Sequence, residues 1–259
     1  MTTRLPYGSW IICSNPGTHA LIRLFCFPYA GGTASMFYDW VANLPAGVEV
    51  CIIQLPGREN RFMEPPFDRL IPLVEALADN IQPYLDLPCV FFGHSMGGLI
   101  CFELARYLWR NYKIKVAHLF VSGQSAPQLP DPYPAVHQLT DAELLEELRN
   151  FKGTPEMVLQ NTELMELLLP TLRADFAISE TYHYTFGEPL ETSISVFGGL
   201  QDEKLTQENL SAWCSQTRGS FKLQMFPGDH FFLHDARESL LQTISSELLN
   251  LLNSKGPSQ

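Results

Sequence analysis

The sequence is short of basic residues, of closely spaced cysteines and of long unbroken apolar runs. Lysine and arginine number 17 against 28 aspartates and glutamates, a formal net charge of −11 over 259 residues. A chain this acidic repels a phosphate backbone or an anionic bilayer, so neither nucleic acid nor a membrane surface is expected as a partner. The cysteines (Cys13, Cys26, Cys51, Cys89, Cys101 and Cys214) include no C-x-x-C pair. Most lie in apolar runs, where a reduced thiol behaves as a small hydrophobe. Free thiols and a cytoplasmic location are therefore expected, rather than disulfides, a metal site or another cofactor. No apolar stretch approaches the roughly 20 residues of a spanning helix. Residues 1–10 contain no cationic stretch leading into an apolar core, so no secretory signal is expected. What is present is an ordinary globular composition, 46% hydrophobic and 17% charged. The length suits one large α/β domain, or one domain with an inserted cap.

The most informative stretch is Pro88 to Ala105. Cys89 to Phe92 reads as a buried strand, followed by Gly93-His94-Ser95-Met96-Gly97, a G-x-S-x-G. From Gly98 onward, Leu99, Phe102, Leu104, Ala105 and Leu108 recur at helical spacing. Strand, G-x-S-x-G and helix in succession make a nucleophile elbow, which puts a serine hydroxyl at the carboxyl edge of a sheet. Glycines flank the serine because the turn is sharp and a neighbouring Cβ would collide with the strand or the helix.

Further strands are expected at Arg23–Pro28, Val48–Leu55, Val116–Ser122, Ser193–Phe197 and Phe221–Phe226, the last alternating apolar and polar like a half-exposed edge. Ile71–Leu85 has helical spacing. Strands separated by helices predict a parallel sheet covered on both faces. After the first of these strands, Gly31 and Gly32 permit a bend that can aim the amide of Tyr29 or Ala30 at a neighbouring site, beside the amide of Met96. Read alone, this is a plain Gly-Gly turn. Arg58 and Arg61, judged on charge alone, are solvated surface arginines. Between Pro127 and Pro189 the β-branched runs stop and helix starts come in series. These are a capping box at Thr140–Glu143 with a staple of Leu139 and Leu144, and prolines at the first helical position at Pro155 and Pro170. Residues 128–188 are expected to form a helical lid, inserted into a core of residues 1–127 and 189–259. A capping box at Asp235–Glu238 should open the last helix, with Leu240, Leu241, Ile244 and Leu248 on its buried face.

Asp202 follows the strand at 193–197 through Gly198-Gly199, and His230 follows the strand at 221–226 in Pro227-Gly228-Asp229-His230. Ser95, Asp202 and His230 thus occur in the order Ser, Asp, His, each just beyond a strand, which is the α/β-hydrolase order. The expected fold is a mostly parallel central sheet flanked by helices, with the helical lid inserted. His230 would take the Ser95 proton, Asp202 would orient the imidazole, and the amides of Met96 and of Tyr29 or Ala30 would hold the oxyanion. His94 should lie behind the site, Asp229 should face elsewhere, and His19, His118, His137, His183 and His234 lack the Gly-Asp-His context.

Motifs along nearly the whole chain add a resemblance. They are Phe-Pro-Tyr-Ala-Gly-Gly (27–32), Leu-Pro-Gly-Arg-Glu (55–59), Phe-Gly-His-Ser-Met-Gly-Gly (92–98), Leu-Pro-Thr-Leu-Arg-Ala-Asp-Phe (169–176), Glu-Thr-Tyr (180–182) and Gly-Asp-His-Phe-Phe-Leu (228–233). With these the chain resembles the type II thioesterases that accompany modular polyketide and nonribosomal peptide synthetases. The resemblance implies hydrolysis of acyl and aminoacyl thioesters on the phosphopantetheine arm of an acyl or peptidyl carrier protein, which clears stalled or misprimed groups. It also implies a monomer, and it carries the family triad onto Ser95, Asp202 and His230. Carrier proteins are acidic like this chain, so recognition would need a local basic patch, with Arg58, Arg61 and Arg173 as candidates, or apolar contacts. Animal medium-chain fatty-acid thioesterases share the motifs. A fatty-acyl thioesterase, a general carboxylesterase and an idle carrier-protein-binding module therefore stay open. The histidine assignment is tested directly by turnover: His230→Ala is expected to abolish it and His234→Ala to leave most of it, and the reverse result would overturn the assignment.

Overall fold

The computed structural model describes residues 10–13 and 19–253. The targeting-signal expectation concerns residues 1–10, which, Trp10 apart, lie outside the described residues. The apolar runs form seven strands: β1 (Ile11–Cys13), β2 (Ile22–Phe27), β3 (Val48–Ile53), β4 (Cys89–His94), β5 (His118–Ser122), β6 (Ser193–Gly199) and β7 (Phe221–Phe226). They make one sheet in the order β1-β3-β2-β4-β5-β6-β7. β1 is an antiparallel edge on β3, and every other pairing is parallel. Its three residues are too few to show alternation in the sequence. The cysteines are free thiols, with Cys13 and Cys51 facing each other in register across β1 and β3.

The central strands are buried on both faces, as parallel strands covered by helices must be. On one face Phe25, Phe27 and Phe91 pack against α1 (Leu70–Ile81) and α2 (Met96–Tyr112). On the other, Leu24, Cys26, Val90 and Phe92 pack against the 3₁₀ stretch Ala34–Asn43 and α8 (Arg237–Asn253). In β7 the residues alternate between half-buried and exposed up to the buried Phe226, as the apolar–polar alternation predicts.

Between β5 and β6 lie α3 (Asp141–Phe151), α4 (Glu156–Leu159) and α5 (Thr162–Glu180), and α6 (Gln207–Ser211) follows β6. The capping box of α3 is present: the Thr140 hydroxyl accepts from the Glu143 amide, and Glu143 Oε2 accepts from the Thr140 amide at 2.8 Å. Leu144, Leu148, Leu159, Met165, Leu169 and Leu172 bury a cluster of their own between these helices. Three expected helix starts are corrected. Pro170 lies inside α5, which begins instead at Asn161, whose side chain accepts from the Leu164 amide at 3.1 Å. An interior proline costs roughly 3 kcal/mol, and the buried Met165, Leu169 and Leu172 hold the helix continuous across it. Asp235 does not cap α8: it ends a short helix, α7 (Phe232–Asp235), and α8 starts after Ala236, whose amide donates to the Phe232 carbonyl at 2.7 Å. Pro155 sits one place earlier than expected, as the cap of α4.

His118 opens β5 with its Nε2 hydrogen-bonded to the Ser195 hydroxyl at 2.9 Å, and burial pushes its pKa down to about 4. A histidine whose folded pKa is depressed stays neutral in the fold while the unfolded chain takes up a proton below the ordinary value of 6.5. Stability from this site is therefore lost as the pH falls from about 6.5 towards 4. Between pH 7 and pH 5 the loss should be about 2 kcal/mol. Urea titrations of the wild type and His118→Gln at the two pH values are expected to show a smaller pH difference in the variant, by about that amount.

Candidate active site

Ser95 follows β4 and caps α2 with φ 52° and ψ −121°, a conformation that L-residues rarely adopt. Its amide donates to the Ser122 carbonyl of the adjacent strand at 2.8 Å, and its carbonyl accepts from the Gly98 amide at 2.8 Å. Strain of this kind costs about 1–3 kcal/mol and persists only where the surroundings enforce it. Here they do. A Cβ on Gly93 would lie 2.1 Å from the Gly97 carbonyl oxygen, and one on Gly97 would lie 2.3 Å from the Phe27 carbonyl oxygen. Only glycines let β4, α2 and the end of β2 approach so closely. The Met96 amide is at the first position of α2, where an N–H has no intrahelical acceptor.

The loops after β6 and β7 are laced together. A Cβ on Gly199 would lie 2.1 Å from the Asp229 carbonyl oxygen, the Gln201 amide donates to the Gly228 carbonyl at 2.9 Å, and the Gly228 amide donates to Gln201 Oε1 at 2.6 Å. This brings His230 Nδ1–H to Asp202 Oδ2 at 2.8 Å. Asp202 Oδ1 accepts from the amides of Lys204 at 2.9 Å and Leu205 at 3.2 Å. Burial opposes ionisation of the Asp202 carboxyl, yet the His230 contact and the two loop amides outweigh it and hold its pKa below the ordinary value. Asp202 is thus an anion with both oxygens engaged, and it fixes which face of the imidazole turns away from it.

The flanking histidines behave differently. His94 is fully buried behind the site, its ring 5.1 Å from that of His230 and its Nδ1 hydrogen-bonded to the Ser122 hydroxyl at 2.9 Å. Burial, then the nearby His230 and His234, push its pKa well down, so it stays neutral beside a ring that must charge. His234 Nε2 is bonded to the Tyr29 hydroxyl at 3.1 Å. Asp229 turns away from the site and accepts from the Phe231 amide at 2.9 Å.

Ser95, His230, Tyr29, Ala30 and Gly31 border one cavity of about 310 Å³. Its opposite wall comes from α3–α5 and is apolar, with Leu148, Phe151, Val158, Leu168, Leu172 and Phe176. After β2 the chain turns through Tyr29–Gly32, closed by the Gly32 amide donating to the Tyr29 carbonyl at 2.8 Å. Among the described residues no acceptor engages the amides of Tyr29 or Ala30, whereas the Gly31 amide donates to Asp175 Oδ2 at 2.7 Å.

The arginines overturn their expected place at the surface. Arg58 is 5% exposed and bidentate with Asp175, and Arg61 is 3% exposed, paired with Glu64 and stacked on Trp10. Arg173 is tied to the carbonyls of His137 and Leu139 and to Asp141. These guanidiniums satisfy internal acceptors, so the three supply no free basic patch. Asp175 has no role in the sequence reading. The signal for it is a lone carboxylate on the buried face of α5, among Leu172 and Ile178.

A strained serine between strand and helix, an Asp–His pair on the next two strand ends and this strand order define a serine hydrolase of the α/β-hydrolase class. The chain matches the thioesterase domain family over residues 22–248. It is 46% identical to the gramicidin S biosynthesis protein GrsT of Aneurinibacillus migulanus over 98% of this chain and 100% of that one. Among solved structures it is similar to RedJ, a thioesterase from the prodiginine biosynthetic pathway in Streptomyces coelicolor. There the TM-score is 0.84 and the identity 39%, over 88% of this chain and 91% of that one. The type II thioesterase BorB from the borrelidin biosynthetic cluster gives a TM-score of 0.86 at 34% identity, over 95% and 100%. The chain belongs to the thioesterase family, serine hydrolases that act on thioesters. Because the Gly97 contact is with backbone that cannot yield, Gly97→Ala is expected to cut thioester turnover by about 10²-fold or more in a hydrolysis assay. It should also lower stability by at least about 1–3 kcal/mol.

Proposed function

We propose that the chain hydrolyses acyl and aminoacyl thioesters carried on the phosphopantetheine arm of acyl or peptidyl carrier proteins in a nonribosomal peptide or polyketide pathway, releasing stalled or misprimed groups. The observation that carries this reading is that Ser95 and His230, the latter paired with Asp202, border the same largely apolar cavity. That cavity suits an acyl chain, and the names of the relatives supply the biosynthetic setting. The enzyme works as a cytoplasmic monomer, and residues 128–188 form the lid over a core of residues 1–127 and 189–259.

In this mechanism His230 accepts the Ser95 proton as Oγ attacks the thioester carbonyl, and Asp202 holds the imidazole tautomer and stabilises the imidazolium. The Met96 amide and that of Tyr29 or Ala30 receive the oxyanion, each donor worth about 3–4 kcal/mol. Gly31 is not a candidate, since its N–H is committed to Asp175. The pantetheine thiol leaves with the proton from His230. Water then enters, activated by the same imidazole, and the acyl group departs as the acid. A thiolate is a better leaving group than an alkoxide, so the triad and the two amides suffice.

The test is release of acetyl, longer acyl and aminoacyl groups from a holo carrier protein, with Ser95→Ala alongside. Release that disappears in Ser95→Ala and outruns hydrolysis of matched oxygen esters is the expected result. Ser95-dependent cleavage of simple esters without release from the carrier would overturn the substrate assignment. A Ser95 that a fluorophosphonate does not label would overturn the enzymatic one.

A further inference from the structure

We propose that Asp175, on lid helix α5, is a positioning residue that sets the oxyanion loop; this rests on the serine mechanism proposed above. The loop Tyr29–Gly32 carries the second oxyanion amide, yet little within the loop itself fixes its geometry. Its internal bond is the single turn from the Gly32 amide to the Tyr29 carbonyl. The remaining restraints come from across the cavity. Asp175 Oδ2 accepts from the Gly31 amide at 2.7 Å and from Arg58 Nη1 at 2.8 Å, while Asp175 Oδ1 accepts from Arg58 Nη2 at 2.7 Å. Arg58 Nη1 also donates to the Gly32 carbonyl at 3.1 Å, and its Nε donates to the Pro56 carbonyl at 3.2 Å. One carboxylate and one guanidinium thus hold the Gly31 N–H and the Gly32 carbonyl. The Asp175 side chain is 1% exposed and that of Arg58 5%, so water does not compete for these bonds.

The steric contacts agree with the polar ones. Gly31 has φ +76°, and a Cβ there would lie 2.5 Å from Leu172 Cδ2, so α5 rests directly on the loop. The same helical turn donates the Thr171 hydroxyl to the Gly57 carbonyl at 2.9 Å, which holds the loop after β3 that presents Arg58. The oxyanion amides must sit within a few tenths of an ångström of where the charge develops. In this fold that placement is delegated to α5. Asp175 touches no reacting atom. It acts through the Gly31 amide, and through that on the orientation of the Ala30 and Tyr29 amides.

The consequence is specific to the transition state. A loop freed from Asp175 still binds the acyl chain, because the apolar wall is intact, but it presents its amide poorly to the oxyanion in both acylation and deacylation. Steady-state kinetics on an acyl-pantetheine thioester should be measured for Asp175→Asn and for Arg58→Met/Asp175→Leu. The double variant removes both charges together and leaves no unpaired ion inside the protein. Both are expected to lose about 10- to 100-fold in kcat with KM within about twofold. The inhibition constant of an alkylboronic acid, whose tetrahedral serine adduct places an oxygen in the oxyanion position, should rise by a similar factor. Affinity for an S-alkyl pantetheine thioether, which has no carbonyl, should stay level. Wild-type kcat in the folded double variant would overturn the proposal, as would equal weakening of the boronate and the thioether. Ser95→Ala separates the two levels. Turnover surviving in Ser95→Ala would refute the serine mechanism itself, whereas an inert Ser95→Ala beside a fully active double variant would refute only the role of Asp175.

Discussion

At the end of β4 the chain reverses into α2 through Ser95, and neither neighbouring glycine has room for a single additional carbon. A Cβ on Gly97 would stand 2.3 Å from the carbonyl oxygen that ends β2, and one on Gly93 would stand 2.1 Å from the carbonyl of Gly97. The serine is held at φ 52° because the sheet and the helix converge on it from both sides. The fold depends on this convergence. α2 must lie close against β2 and β4, which is what buries Phe27, Phe91 and Met96 together on one face. Strain worth a few kcal/mol at one residue is sustained by a core whose burial is far larger. The same squeeze puts the serine at the border of the cavity, beside the Met96 amide, whose place at the first position of α2 gives it no intrahelical acceptor.

The other half of the site is assembled by a second close approach, of Gly199 to the Asp229 carbonyl. β6 and β7 are adjacent parallel strands, so their following loops emerge side by side, and the lacing through Gln201 and Gly228 fixes their offset. Asp202 reaches His230 as a result of that offset, with its second oxygen satisfied by two amides of its own loop. An anion held this way does not wander, and the imidazole inherits its orientation. His94 completes the electrostatic arrangement by staying neutral: a second cationic ring 5.1 Å from His230 would oppose the imidazolium that the reaction requires.

Much of this was legible in the sequence because it is written locally. A buried strand, G-x-S-x-G and an amphipathic helix are contiguous, and Asp202 and His230 each announce themselves by glycines at a strand end. What escaped notice is long-range. Arg58 and Asp175 are 117 positions apart, and nothing near either one in the chain names its partner. Charge alone put Arg58 and Arg61 at the surface, the usual place for an arginine, whereas paired burial is a tertiary fact. Pro170 misled for a related reason. Local rules put a proline at a helix start, but the packing of Leu169 and Leu172 carries α5 straight through it. β1, at three residues, carries too little pattern to be seen.

On the reading of residues 128–188 as a lid, the bonds that join it to the core also decide which part of it can yield. Lifting α5 would separate Asp175 from Arg58 and from the Gly31 amide in a water-free setting, and breaking a buried pair costs about 3–5 kcal/mol. α3 meets the core far more lightly. The Lys204 ammonium lies 3.8 Å from the centroid of Phe151, an interaction worth about 0.5–1 kcal/mol where water can reach it. The turn after α3 rests on Phe231, with Gly153 so close that a Cβ would lie 2.3 Å from the ring. Beyond these contacts α3 and α4 hold chiefly to α5, through the small cluster around Leu144, Leu148 and Leu159. The anchoring is therefore uneven: the helix that sets the oxyanion loop is the one tied to the core by buried charge, and α3 and α4 are tied mainly to it.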